Sequence, residues 1–350
     1  MFNYIIYSKI ASFNALLIAC SSALICASAQ AAPPWQRVSF GEGAQAYDFP
    51  LYANRKLDGN LVDVKRVIVV LHGLQRNGDD YFDAAFELLK THGDELTTLL
   101  IAPTFPGKPD MESGKKGFTH MPVWSVQGWI GGEGSLNDVS TMRGLSSLQV
   151  LDDVLLRFTD KSRLPKLEQL VVAGHSGGGQ ILHRYAVLNN VFETISARGI
   201  AVQTVVANPS SYLYFNAERP VAFDKTACPN FNDFKFGMDK PVPYAKQADT
   251  QALAARFAQR KVAYLVGSAD NDPNHRVLDK SCAAEAQGAH RNARARAYVA
   301  HERGVLKQPL REVLEVQGVD HDQARMLGSQ CGVRLLFGAV ATNGAVCLAY

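Results

Sequence analysis

The stretch from Leu170 to Gln180 reads Leu-Val-Val-Ala-Gly-His-Ser-Gly-Gly-Gly-Gln. Its first four residues form a continuous apolar run, as a strand buried on both faces does. Gly174, Ser176 and Gly178 match the pattern G-x-S-x-G, and the residues from Gly177 to Asn189 carry helical spacing. A serine on so sharp a strand-to-helix turn is forced into a strained backbone conformation with its hydroxyl exposed, and small flanking residues let the turn close. The helix start behind it points unpaired N–H groups and the positive end of a dipole at that hydroxyl. Two other uses of glycine-rich turns fail on detail. Gly174 and Gly179 have P-loop spacing, but Gln180 and Ile181 stand where Lys and Ser or Thr are needed. A dinucleotide fingerprint needs glycine where Ser176 stands.

Outward from this turn, short apolar runs alternate with helical stretches. Strands are expected at Val67–Leu71, Leu99–Ala102, Leu170–Ala173, Val202–Ala207, Val262–Val266 and Leu310–Val316. Helices are expected at Tyr81–Lys90, Leu145–Phe158, Gly177–Asn189, Asp249–Gln259, Ala283–Gly304 and Gln323–Phe337. This alternation predicts an α/β protein with a mostly parallel sheet and helices on both faces. Two segments break it. Pro103–Ser135 carries Trp124 and Trp129, and Pro209–Ala245 carries Tyr212, Tyr214, Phe231 and Phe236 among other aromatics. Loops this long usually serve a site, so both are read as core covering and as walls of a substrate pocket.

The chain has 350 residues, 47% hydrophobic and 20% charged, which excludes disordered and collagen-like classes. Lys and Arg number 36 against 33 Asp and Glu, a formal net charge of +3, with no basic run to suggest nucleic acid. The N-terminus has Lys9, then an apolar stretch from Ala15 to Ala27, then Ala29-Gln30-Ala31. That is the layout of a signal peptide over residues 1–31, leaving 32–350 as one exported domain. Leu17-Ile-Ala-Cys20 also resembles a bacterial lipobox, so a lipidated Cys20 is the alternative and the only route to a membrane. Four cysteines follow, Cys228, Cys282, Cys331 and Cys347, an even count that suggests two disulfides outside the cytosol. Of three possible connectivities, Cys331–Cys347 and Cys228–Cys282 are preferred. The first would pin the glycine-containing tail, and the second would join irregular segments that follow successive strands.

A serine hydroxyl needs a base, and the base needs an orienting carboxylate. On a strand-turn-helix scaffold of this kind the chain order is Ser, acid, His. His321, in Gly318-Val-Asp-His-Asp322, follows a strand and precedes a helix, at the end of a sheet where ligands bind. His275 shares a loop with the candidate acid, while His290 and His301 fall in a helical stretch and are expected to be solvated. Asp270 lies four residues past Val266 and Asp272 six; Asp270 is preferred. The oxyanion hole requires two backbone N–H donors. Gly177 supplies one, and the loop His72-Gly-Leu-Gln-Arg-Asn77 the other, with Leu74 preferred to Gln75 and His72 bracing the loop. Asp270-x-Asp272-x-Asn274 mimics a calcium loop, but His275 replaces its glycine and Ser281 its closing Glu. No H-E-x-x-H occurs, so a zincin is rejected, and no cofactor or metal is expected because the serine, histidine and carboxylate supply their own nucleophile and base.

His72-Gly73, the turn at Ser176, Asp270 and His321 together resemble the α/β-hydrolase superfamily over about residues 67–337. His72–Asn77, Val206–Phe215 and Gly318–Asp322 are similar to stretches of secreted bacterial and fungal hydrolases. The first of them is also similar to polyhydroxyalkanoate depolymerase-like and feruloyl esterase-like enzymes. The resemblance implies hydrolysis of a small or polymeric ester through an acyl-enzyme. A serine peptidase with the same machinery, or an inactive binding module, are the other readings, since one fold hosts many activities.

Overall fold

Val67, Val69 and Leu71 pack into one apolar core, and Ile68 and Val70 into another. This is the period of two that puts alternate side chains of a strand on opposite faces. Leu170 and Val172 divide from Val171 and Ala173 in the same way. In this computed structural model residues 1, 35–112, 117–118, 121–136, 144–246 and 249–349 are described. The expected signal segment after Met1, with Cys20 and Ala29-Gln30-Ala31, lies outside them. The described strands are β1 Gln36–Phe40, β2 Tyr47–Ala53, β3 Arg66–Leu71, β4 Thr98–Pro103, β5 Gln169–His175, β6 Ala201–Ala207, β7 Val262–Gly267, β8 Arg311–Val316 and β9 Cys347–Ala349. They form one sheet in the order β1-β2-β4-β3-β5-β6-β7-β8-β9. The six central strands run parallel, and β1, β2 and β9 are antiparallel additions at the edges.

The described helices are α1 Gly78–His92, α2 Lys108–Glu112, α3 Gly128–Gly131, α4 Ser147–Arg157, α5 Gly177–Leu188, α6 Val191–Ala197, α7 Thr250–Ala258, α8 Cys282–Glu285, α9 Arg291–Val305, α10 Gln323–Leu327 and α11 Gln330–Phe337. Leu151 of α4, Ile181 of α5, Phe257 of α7 and Tyr298 of α9 fill the first core. Phe82 of α1, Met326 of α10 and Leu336 of α11 fill the second. Helices therefore cover both faces of the sheet, as the alternation predicts.

Two expected helices are each broken in two. Ala283–Gly304 divides into α8 and α9 because Gly288 takes a φ of 144°, and the His290 side chain then caps α9 by accepting from Ala293 N at 3.3 Å. Gln323–Phe337 divides at Ser329, whose hydroxyl accepts from Gly332 N and caps α11. A helix interior cannot hold an extended capping residue, so each cap starts a new helix. The edge strands β1, β2 and β9 and the short α2, α3 and α6 add to the sequence expectation. The apolar period is weakest in such short elements.

Both aromatic segments reach the core. Phe105 stacks on Trp129 with ring centroids 5.3 Å apart, and Trp124 is fully buried. Tyr212 stacks on Tyr298 at 4.5 Å. Cys228 and Cys282 are bonded, as are Cys331 and Cys347. The second bond anchors β9, which pairs with β8 at the sheet edge. It closes a loop with a sequence separation of 16, a length for which about 3 kcal/mol is typical. Replacing Cys331 and Cys347 together by alanine is expected to lower unfolding stability by about that amount. Urea denaturation of the two proteins measures it, and coincident midpoints would contradict it. No helix among the described residues is long and apolar enough to cross a membrane.

Candidate active site

The chain leaves β3 for β4 on one side and later leaves β5 for β6 on the other, so the sheet order reverses between β3 and β5. A crevice opens outside the carboxyl ends of strands at such a point. Both loops needed for the site emerge there.

Ser176, between β5 and α5, has φ 59° and ψ −116°, a conformation that a residue with a side chain rarely adopts and that persists only where surrounding packing enforces it. The glycines explain how. A Cβ on Gly174 would strike the Gly178 carbonyl, and one on Gly178 would strike the Leu71 carbonyl. Ser176 N donates to the Ala207 carbonyl at 3.0 Å, tying the turn to β6.

His321 stands between Ser176 and Asp270. Its Nε2 is 2.8 Å from Ser176 Oγ, and its Nδ1 is 2.7 Å from Asp270 Oδ2. Asp270 is 3% exposed, which leaves its oxygens to the protein, whereas Asp272 is exposed. Of the two acids the structure brings only Asp270 to His321. Arg291 Nη1 donates to the other oxygen of Asp270 at 3.2 Å, from a side chain 1% exposed. Burial alone would raise the Asp270 pKa, but the hydrogen bond and charge of His321 and the charge of Arg291 hold it below the usual carboxylate range. Burial also pulls His321 below the ordinary imidazole range, with Arg291 and His275 adding to that effect against Asp270. The neutral imidazole, which can accept a proton from Ser176, is thereby favoured.

Asn208, at the end of β6, ties the two loops together. It accepts from Gly267 N at 2.9 Å and donates to the Asp320 carbonyl at 3.2 Å. Asn292, next to Arg291, donates to the Gly267 carbonyl at 3.0 Å. Arg291, Asn208 and Asn292 were not legible as site residues. Asn208 lies within the quoted stretch Val206–Phe215, but only the folded chain brings it between the other two loops.

Leu74 N and Gly177 face one another: a Cβ added to Gly177 would lie 3.1 Å from Leu74 N. Among the described residues neither N–H has an acceptor. Gln75 is not placed in that approach. His72 accepts from Phe105 N at 2.9 Å, so its Nδ1 carries the proton and donates to the Gly73 carbonyl at 2.8 Å. That is a brace between two loops, as expected. The Arg76 guanidinium pairs with Asp110 at 2.6 Å and donates to the Leu74 carbonyl at 3.3 Å, which orients the Leu74 peptide.

His175, given no role by the sequence, lies beside His321 with ring centroids 4.6 Å apart. Burial keeps it well below the ordinary imidazole range, and Tyr81 Oη meets its Nδ1 at 3.0 Å. The other histidines differ from expectation. His290 is the α9 cap, and His301 is half-buried, 4.4 Å from the Tyr214 ring and pulled down to about 4 by that burial. The aromatic cluster around β7 and α9 encloses that end of the helix, which its polar composition does not announce.

A cleft of about 210 Å³ opens at Ser176, lined by Leu74, Ile130, Ser210, Lys235 and Val277 among others. The arrangement holds a hydroxyl against a neutral imidazole, a carboxylate behind it, and two free N–H groups in front. Such a set can transfer an acyl group. No cluster among the described residues has the composition of a metal site.

The backbone has close counterparts among solved structures. It matches a poly(aspartic acid) hydrolase-1 from Sphingomonas sp. KT-1 with a TM-score of 0.57 and 21% identity, over 87% of this chain and 98% of that one. It matches LpqC, a poly(3-hydroxybutyrate) depolymerase from Bordetella parapertussis, with a TM-score of 0.58 and 21% identity, over 88% and 91%. This chain has the α/β-hydrolase fold. No protein-family profile and no curated protein sequence matches it. Leu74, Ser176, Asp270 and His321 all lie on loops that follow the carboxyl ends of the parallel strands β3, β5, β7 and β8.

The lowered His321 pKa has a measurable consequence. A base that must be neutral is lost as pH falls through its own pKa. The acid limb of kcat/KM is therefore expected to have its midpoint below 6.5, with a plateau through neutrality. A pH profile on a chemically stable ester measures it, and a midpoint above 7 would contradict the assignment of His321 as base.

Proposed function

We propose that the protein is an exported serine hydrolase that cleaves carboxylic esters through an acyl-enzyme. The observation carrying this reading is the chain of short hydrogen bonds from Ser176 through His321 to Asp270, facing two unbonded N–H groups. Ser176 Oγ attacks the ester carbonyl while His321 Nε2 takes its proton. The carbonyl oxygen becomes an oxyanion held by the N–H groups of Leu74 and Gly177. Collapse expels the alcohol, which receives that proton from His321, and leaves Ser176 acylated. Water, deprotonated by the same nitrogen, then releases the acid and restores the serine. Asp270 holds the His321 tautomer and stabilises its positive charge throughout. No cofactor is called for.

The names of the two structural neighbours, both hydrolases of polymers, support hydrolysis as the reaction. Two disulfides support an oxidising compartment, the periplasm or the cell exterior. The substrate is a small or polymeric ester; nucleic acid is not a partner, and a membrane is one only if Cys20 is lipidated.

The experiment is a panel of p-nitrophenyl esters of rising acyl length, with matched anilides, on the protein cleaved after Ala31. Turnover of esters above anilides is expected. Turnover of anilides alone would replace the esterase reading by a peptidase, and no turnover of either would favour a binding module.

A further inference from the structure

The cleft at Ser176 is one-sided. Its walls include Leu74 and Ile130, beside the oxyanion donors, but among the described residues neither His321 nor His275. The leaving alcohol takes its proton from His321 Nε2, so the alcohol half of an ester sits at His321. The acyl half must then point the other way, into the cleft.

What the acyl half meets there is charged. Lys235, Arg276 and Lys280 line the cleft together with a single carboxylate, Asp279. Lys235 comes from the aromatic segment, and the other three from the loop between β7 and α8. The Lys235 ammonium is 3.7 Å from Asp279 Oδ2 with a side chain 21% exposed, and it lies over the Phe236 ring at 5.3 Å. Its backbone is fixed by Arg184, whose Nε donates to the Lys235 carbonyl at 3.1 Å. Asp279 is shared, since its other oxygen accepts from Ser281 N and Ser281 Oγ. Among the described residues Lys280 reaches only the Asn274 amide oxygen, at 3.5 Å. Glu133, an exposed residue, acts on Lys235 through its charge. Even with Glu133 counted, positive charge is in excess. A partly desolvated ammonium with half a partner gains more from an anion than one in open water does.

We propose that the acyl half of the substrate carries a carboxylate, held by Lys235 in the cleft wall with Arg276 and Lys280 at its mouth. The substrate class is then the half-esters of dicarboxylic acids, or polyesters and esters with acidic acyl units. This rests on Ser176 as the acylated residue, and it adds the specificity that the fold does not dictate.

The test compares monoethyl adipate, diethyl adipate and ethyl butanoate by ethanol release. The first two share an acyl chain and differ in one negative charge. The monoester is expected to have the higher kcat/KM, and its advantage to shrink as salt is added. Lys235→Met is expected to cut the monoester-to-diester ratio about fivefold, the scale of one partly exposed ion pair. Arg276→Glu with Lys280→Glu is expected to bring the ratio below one. The ratio is internal to each variant, so partial misfolding does not mimic the effect. A wild-type ratio at or below one, ratios unmoved by these variants, or hydrolysis of ethyl butanoate alone would overturn the proposal. Hydrolysis of none of the three would instead overturn the esterase reading on which it rests.

Discussion

Ser176→Ala is expected to lower ester turnover roughly 10⁶-fold, the scale on which removing a nucleophile from such a unit acts. The residue sits at φ 59° whether it is serine or alanine, so the turn strained by Gly174 and Gly178 contacts is unchanged and the fold persists. What disappears is the hydroxyl oxygen that lies 2.8 Å from His321 Nε2. A fluorophosphonate probe should add once to the wild-type protein and not to the variant, read by intact mass. Two neighbouring serines provide the contrast. Ser210 Oγ accepts from Arg291 Nε at 3.1 Å, and Ser211 Oγ bonds Gln180 and Arg184. Neither faces an imidazole, so neither is activated. Labelling of Ser210 or Ser211 with Ser176 unmodified would refute the assignment.

Asp270→Asn is expected to cost roughly 10⁴ in kcat, because an amide in that place holds the wrong histidine tautomer. Asp272→Asn is expected to remain near wild type, since that side chain is exposed and away from His321. The structure adds a second consequence. Arg291 is 1% exposed and ion-paired with Asp270, and removing one partner of a buried pair typically costs about 3–5 kcal/mol. The Asp270→Asn protein should therefore melt well below wild type while staying folded at 25 °C. Circular dichroism melts and kinetics on the same preparation separate the two losses. An active Asp270→Asn protein with an inactive Asp272→Asn protein would reverse the choice of acid.

The role of Arg291 follows from the same geometry. It pairs with Asp270, the carboxylate proposed to orient His321, and it bonds Ser210, which lines the cleft. In the sequence it is one arginine among several in a polar helix. Its neighbours in space, Asp270 and Ser210, lie 21 and 81 residues away along the chain.

The sequence by itself determined what local chemistry dictates. The apolar run ending at Ala173, the glycines around Ser176 and the helix after it force a strained turn through close backbone contacts within a few residues. The alternation of buried runs with amphipathic stretches dictates a parallel sheet covered on both faces, because each period exposes one kind of surface that must be buried. The order of Ser176, Asp270 and His321, each just past a strand, then brings them to one edge. The even cysteine count suggests two disulfides, and the pairs preferred among three connectivities, from a flexible tail after Cys331 and from irregular segments after successive strands, are the pairs that the structure bonds. Only the tertiary structure decided the rest. Asn208 joining the acid and base loops, Arg291 behind Asp270, His175 beside His321 and Lys235 in the cleft wall are contacts between segments distant in sequence. No periodicity encodes them. The breaks at Gly288 and Ser329 were hidden because the apolar period continues across them, and only the backbone angle of one and the hydroxyl cap of the other divide the helices.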